Sequence, residues 1–305
     1  MLYSQQSIRT CCAVLPAVAL LAVIMCTQSC SEPQPSQPSV SELDTTGIST
    51  SGAILLQGNM VVIPPPSLLS HVIAMESIPF ETRGVTDAGK PEQWTGEMKK
   101  ALNLGVLGAD LSYLINHKQS ATIPQYLASI RRLTDDLGIS HEVDAELLNQ
   151  IEAGLDNPSN MLGLHSVFFR NLESYLKNNN RRDISTYILL GGWTEAMHQL
   201  ASPADSIVGQ PLDRLLAEQT YSAAGVRALA ESIQDESFAP IQSAIIDLCD
   251  ALETLEKTYQ FNDPVHDRRQ GITYLRSNSQ VVCSDDELLE LHELIAETRN
   301  LMIAP

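Results

Sequence analysis

Two segments of the sequence each place one acidic residue in an apolar, glycine-containing stretch. Asp110 follows two glycines among leucines and a valine, and Glu195 follows two glycines and Trp193. An acid in such surroundings must be paired or protonated, because the burial of an unpaired charge is costly. The pattern therefore predicts a polar pocket between helices, where bundle folds often hold small ligands. The candidate ligand-binding residues are Asp110, Tyr113, Trp193, Glu195 and His198.

The same residues also fit a purely structural interpretation. A glycine inside a helix costs about 1 kcal/mol relative to alanine, so Gly105, Gly108, Gly191 and Gly192 are expected where another backbone or a ligand comes close. In the structural interpretation, two helices pack tightly and each acid is bonded to a neighbouring helix end or to an arginine. Both interpretations predict that the two helices are adjacent and that the acids are shielded from water.

Other patterns of catalytic or metal-binding residues are not supported. Glu195 and His198 form a Glu-x-x-His motif, which di-iron carboxylate bundles carry twice together with two further glutamates, and it occurs once here. The sequence lacks a nucleophile elbow, a zincin motif, a P-loop and a Cys-x-x-Cys pair. We therefore assign no catalytic residue, no metal ligand and no cofactor. The 37 Asp and Glu against 19 Lys and Arg argue against nucleic acid as a partner.

Helical periodicity dominates the chain after about residue 64. The predicted helices are Pro64–Glu76, Pro91–His117, Ile123–Leu137, Val143–Leu155, Asn160–Asn178, Asp183–Leu200, Pro211–Ile233, Ile241–Tyr259 and a last helix that begins with the capping box Ser284–Glu287. Pro91–His117 and Asp183–Leu200 are apolar on most sides, which is typical of helices at the centre of a bundle.

Two short regions depart from this helical pattern. Ala53–Ile63 is an apolar run that fits either a strand or a helix. Gly271–Leu275 and Gln280–Cys283 are rich in β-branched residues and predict a small C-terminal β-hairpin. The sequence thus predicts an all-α fold, a single helical bundle of about eight helices with this hairpin, over residues 53–305.

The N-terminal residues have the pattern of a targeting signal. Arg9 precedes an apolar run at Ala13–Met25 that is too short to span a bilayer comfortably. Small polar residues then lead to Ser29 and Cys30, a junction that resembles the lipobox of bacterial lipoproteins, although Thr27 stands where a leucine is usual. The resemblance implies that residues 1–29 are a signal peptide and that Cys30 is lipidated. An ordinary secretory signal with an incidental cysteine is the alternative.

The segment that follows has the composition of a tether. Residues 30–52 contain three prolines and many serines and threonines, and so few apolar side chains that ordering them would not be offset by burial. Acyl chains on one cysteine would hold the body at a membrane. We expect a location in the cell envelope, anchored in the outer membrane, with the body facing the periplasm or the cell surface.

Two further cysteines, Cys249 and Cys283, would lie in this oxidising compartment. A disulfide between them and two separately buried thiols both fit the sequence.

Two segments also resemble a known group of proteins. Gly105–Tyr113 and Ile188–Glu195 are similar to stretches of uncharacterised helical lipoproteins of Bacteroidetes, and the similarity extends over roughly residues 55 to 300, including Leu137-Gly138-Ile139. That family has no established activity. The resemblance therefore implies a helical fold and an envelope location, and it transfers no catalytic residue.

These observations favour a lipid-anchored envelope protein that acts by binding or scaffolding. Its expected partners are the membrane, through the N-terminal lipid, and an envelope protein or a small molecule. The alternative is an envelope enzyme or small-ligand binder with a polar pocket around Asp110 and Glu195. An enzyme would show a concave pocket with converging polar groups, and a scaffold would show a filled bundle centre.

Overall fold

The computed structural model describes residues 53–56, 59–76, 78–140, 145–154, 157–201, 211–267, 269, 271–274 and 278–305. The predicted signal peptide at 1–29, the tether at 30–52 and Cys30 lie outside these residues. All of the described residues belong to one compact unit.

The predicted all-α fold is confirmed. The described residues form ten helices: α1 Pro66–Met75, α2 Gly96–Asn116, α3 Ile123–Asp136, α4 Ala145–Ala153, α5 Pro158–Asn178, α6 Arg182–Ala201, α7 Pro211–Glu218, α8 Thr220–Glu231, α9 Ala239–Thr254 and α10 Asp285–Ile303. There are more than the eight expected, partly because the segment 211–233 forms two helices. The break lies at Gln219, whose side-chain amide donates to the carbonyl of Leu215.

The strands form three antiparallel pairs. β1 Ala53–Leu56 pairs with β2 Asn59–Val62, which shows that the ambiguous run after residue 52 is a hairpin. β3 Glu256–Gln260 pairs with β6 Asn278–Val282, and β4 Val265–Asp267 pairs with β5 Ile272–Tyr274.

The C-terminal hairpin is confirmed, but its strands pair differently from the prediction. The two β-prone segments were expected to pair with each other, and each pairs instead with a strand before residue 268. The helix predicted to reach Tyr259 ends at Thr254. Leu255 is the last buried side chain there, and the exposed residues after it form β3, which pairs with β6.

Helices α2 and α6 lie at the centre and pack more extensively against each other than any other pair of elements. From Ala101 to Ile115 every residue of α2 is buried. Most of α6 is buried in the same way. This confirms the prediction that Pro91–His117 and Asp183–Leu200 contain central helices that pack together.

The last helix is fixed at both ends. The predicted capping box is present: the Ser284 hydroxyl accepts from the Glu287 N–H, and the Glu287 carboxylate accepts from the Ser284 N–H. At the other end, carbonyls without helical partners accept from three side chains at the start of the body, Trp94, Lys99 and Asn103. The position of α10 is therefore set by contacts with residues about 200 positions earlier.

Both cysteines of the described part are free thiols, Cys249 buried and Cys283 half-buried. None of the described helices has the length and the apolar character needed to cross a membrane.

Candidate functional site

The glycines of α2 and α6 let the two backbones touch. A Cβ atom added at Gly105 would lie 1.9 Å from the carbonyl oxygen of Ile188, and one at Gly191 would lie 2.0 Å from that of Leu102. Real Cβ atoms do not approach other atoms so closely, and neither helix backbone can move aside cheaply. Backbone contact accounts for these two of the four glycines that the sequence singled out.

The two acids of these helices lie together in the buried interior. Asp110 and Glu195 are both 0% exposed. Arg299 of α10 reaches Glu195 with two donors, Nε to Oε2 at 2.7 Å and Nη2 to Oε1 at 2.9 Å. Asp110 accepts from the Thr86 N–H at 3.0 Å and from the Gln199 amide at 3.2 Å. The acids are thus paired with an arginine and with polar groups, as buried charges must be.

Burial raises the pKa of Asp110 well above its usual range, and the negative charge of Glu195 raises it further. The Thr86 N–H and the Arg299 guanidinium act in the opposite direction. The raised pKa favours a protonated Asp110, and the Arg299 guanidinium is paired directly with Glu195. A protonated Asp110 can donate to Glu195 while it accepts from its other two partners.

Tyr113 and His198 contact backbone groups of residues 78–90, an irregular segment beside the ends of α2 and α6. The Tyr113 hydroxyl accepts from the Glu81 N–H at 3.3 Å, and a ring nitrogen of His198 lies 3.0 Å from the Arg83 carbonyl. Asp110 binds the same segment through Thr86. These side chains pair backbone groups that have no partner in a regular helix or strand.

The structure also contains a cavity of about 120 Å³ on another side of α2 and α6. Its walls come from α2, α5, α6 and the proline-rich start of α1, and they are mostly apolar. The lining side chains used below are Pro66, Phe169, Leu172, Ser185, Ile188 and Trp193. Of the five predicted ligand-binding residues, only Trp193 lines this cavity.

Glycines also shape the cavity. A Cβ atom at Gly108 would lie 2.3 Å from the Phe169 ring, and one at Gly192 would lie 3.1 Å from the Pro66 ring. These two glycines let the rings that line the cavity pack directly on the helix backbones. His165 lies beside them, fully buried, and donates from Nε2 to the Gly108 carbonyl at 2.9 Å. Burial lowers its pKa to about 4, so the ring is neutral near pH 7.

Trp193 has an unusual environment for a buried indole. The side chain is 1% exposed, and its Nε1–H finds no acceptor among the described residues. Buried indole N–H groups usually have a partner. The other tryptophan, Trp94, follows that rule and donates to the Ile303 carbonyl at 2.8 Å.

Sequence reasoning did not find Arg299 or the cavity. The signal for Arg299 was a single cation in the last turns of an otherwise acidic helix. The signal for the cavity was three consecutive prolines, Pro64 to Pro66, before a helix, together with the aromatic pair Phe168 and Phe169.

No protein-family model matches the sequence, and the search of curated proteins and the search of solved structures found no match either.

The substitution Asp110→Asn is expected to change how stability depends on pH. Because the folded pKa of Asp110 is raised, the folded state holds this proton more tightly than the unfolded chain. The contribution of this proton to the unfolding free energy of the wild type is therefore present in full below about pH 4. It decreases as pH rises towards the folded pKa. The variant lacks this loss, so its unfolding free energy relative to wild type should rise between about pH 4 and pH 8 in urea titrations.

Asp136→Asn is the matched control for this prediction. The pKa of Asp136 is lowered, chiefly by a hydrogen bond from Lys100, so the stability from this carboxylate is complete above about pH 4 and is lost only at lower pH. Above about pH 4 the variant should therefore differ from wild type by a constant amount, with no pH slope. Equal pH slopes for the two variants would mean that Asp110 is ionised in the folded protein.

Proposed function

We propose that this is a lipid-anchored binding protein of the cell envelope and that the cavity beside Trp193 takes a small apolar ligand. The cavity is the single observation that carries the binding part of the proposal. The alternative site at Asp110 and Glu195 is not proposed, because Arg299, Thr86 and Gln199 already supply both acids with partners.

The size of the cavity limits the ligand. An apolar cavity of roughly 150 Å³ in another protein stays dry and binds benzene, and the cavity here is about 120 Å³. The enclosed part of the cavity therefore accommodates about one six-membered ring, and its open side leaves room for a ligand that extends to solvent. The lining side chains Phe169, Leu172 and Ile188 offer it dispersion contacts.

The indole of Trp193 adds a polar requirement. A buried donor without an acceptor costs about 1–3 kcal/mol. The Nε1 atom is enclosed, so a ligand's acceptor would remove that cost only after the side chains around the indole shift to admit it. A ring that carries a carbonyl oxygen meets both conditions. We therefore propose a ligand with one apolar ring and one hydrogen-bond acceptor.

Anchoring is tested by Cys30→Ser in the full chain. The Ser29-Cys30 junction and the tether motivate this test. The variant should move from the membrane fraction to the soluble envelope fraction and should lose labelling by a fatty-acid analogue. Unchanged membrane retention would contradict the lipoprotein interpretation while leaving the cavity untouched.

Binding is tested with two probes of equal size, cyclohexanone and methylcyclohexane, by ligand-observed saturation-transfer NMR on residues 53–305. Wild type should bind cyclohexanone more tightly than methylcyclohexane, which has no hydrogen-bond acceptor. Ser185→Phe places a ring into the cavity from α6 and should weaken binding by about tenfold or more.

The control variant is Thr186→Phe, one residue further along the same helix and outside the cavity lining. It should bind cyclohexanone like wild type. If wild type gave no signal, or if both variants bound equally well, the cavity would not be a binding site.

A further inference from the structure

Residues 256–282 contain the strands β3 to β6 and are here called the β-arm. Its inner part is the β3–β6 pair, and its outer part is the β4–β5 pair, which lies between β3 and β6 in the sequence. Apart from Asn262 and Val281, all side chains of the β-arm whose exposure is described are exposed to solvent. The β-arm contacts the helical body through β6, where Val281 packs against the hydrophobic core and the strand lies beside α7, while the outer part is exposed.

The β-arm concentrates the exposed apolar residues of the protein. Nine large apolar side chains are exposed among the described residues, and six of these lie on the β-arm: Tyr259, Phe261, Val265, Ile272, Tyr274 and Val282. Single exposed apolar residues are ordinary, whereas a cluster marks an interaction surface.

The strand register places three of these side chains on one face of the outer part. Val265 lies directly opposite Tyr274, and Ile272 lies two residues from Tyr274 on the same strand. Successive residues of a strand point to opposite faces, so these three share a face with the position of Asp267, the register partner of Ile272. They are 41%, 47% and 45% exposed for Val265, Ile272 and Tyr274. The opposite face is polar, and there a ring nitrogen of His266 lies 3.0 Å from the Thr273 hydroxyl.

The outer β4–β5 pair is incomplete by itself. A two-stranded hairpin is marginally stable in water and usually needs a third strand or a packed layer. A covering layer over the apolar face would supply what this pair lacks.

The charge of the β-arm favours a second copy of this chain as that layer. The β-arm holds four basic residues (Lys257, Arg268, Arg269, Arg276) and three acidic residues (Glu256, Asp263, Asp267), whereas the whole chain has 19 basic and 37 acidic residues. Two copies repel each other over most of their surface. They can approach most easily through the β-arms, which are nearly neutral.

Symmetry gives a second reason for this choice. In a two-fold dimer the same patch meets itself, so the patch must be self-complementary. A largely apolar face on a β-arm with nearly equal numbers of basic and acidic residues comes closer to that condition than a strongly acidic face does. An anionic membrane surface would instead select a β-arm with a large positive excess.

We propose that two copies of this protein form a symmetric dimer in which their β-arms pack through the face made by Val265, Ile272 and Tyr274. The proposal does not depend on the cavity or on the lipid anchor. The dimer should become tighter when salt rises, because salt screens the repulsion between the acidic bodies.

The test is the mass in solution of residues 53–305, measured by sedimentation equilibrium. The measured mass of wild type should be twice that of a single copy of residues 53–305. Val265→Asp combined with Tyr274→Asp should raise the dimer dissociation constant by about tenfold or more. Circular dichroism should be unchanged, because both positions are exposed.

Leu289→Asp is the matched control, since Leu289 is 59% exposed on α10 and lies outside the β-arm. This variant should dimerise like wild type. A monomeric wild type would overturn the proposal, and so would a dimer that survives in the double variant. Binding of monomeric wild type to anionic vesicles would assign the β-arm to a lipid surface instead.

Discussion

Gly191→Ala is expected to destabilise the protein by about 3 kcal/mol or more. The new methyl group would lie 2.0 Å from the Leu102 carbonyl oxygen and 2.8 Å from its carbonyl carbon. Backbone atoms of a buried helix cannot rotate away as a side chain can, so α2 and α6 would have to separate along their contact. Urea unfolding of residues 53–305 measures the loss, and failure to fold is the extreme form of the same result.

Gly163→Ala separates this contact from a general effect of glycine substitution. Gly163 lies inside α5, and a Cβ atom there would have nothing within 4 Å. Alanine is a better helix former than glycine, so this variant should gain about 0.5–1 kcal/mol. If both variants changed stability by similar amounts and in the same direction, the close α2–α6 contact would be wrong.

Arg299→Met is expected to cost about 3–5 kcal/mol, the usual range when one partner of a buried ion pair is removed. The substitution keeps much of the side-chain volume but leaves the Glu195 carboxylate buried without its cation. Removal of the second charge should restore part of the loss, so Arg299→Met combined with Glu195→Gln should be more stable than Arg299→Met alone. Chemical unfolding near neutral pH is the measurement.

Arg131→Met serves as the control, because Arg131 pairs with Glu152 near the surface, where its side chain is 31% exposed. Exposed pairs contribute about 0–1 kcal/mol, so this variant should differ little from wild type. A similarly small effect of Arg299→Met would mean that the acids of α2 and α6 are held by something other than this arginine.

Sequence periodicity was sufficient to predict the central helices and the burial of the two acids. A helix that is apolar on most sides can only lie in the interior, and the glycines indicated that another backbone was close. This pattern did not indicate which residue pairs with Glu195. Arg299 meets Glu195 across 104 positions of sequence, and such a distance leaves no periodic signal.

The same limit explains the errors in the strands and the missed cavity. Residues after Leu255 contain Tyr259, which continued the helical apolar pattern in sequence, yet pairing with residues 278–282 decides their structure. The cavity is assembled from three helices and the segment before α1. The apolar periodicity of each segment does not depend on the cavity. The cavity arises only when the segments pack together.

The indole N–H signal of Trp193 tests the proposed binding site most directly. In ¹H–¹⁵N spectra of residues 53–305, Trp94→Phe removes one of the two indole signals and so assigns the other to Trp193. Addition of cyclohexanone should shift the Trp193 signal downfield in a saturable manner, because its N–H gains an acceptor. The Trp94 signal of wild type should stay in place, since that N–H is already bonded to Ile303. A Trp193 signal that does not move at saturating cyclohexanone, or that moves only as much as the Trp94 signal, would contradict the account.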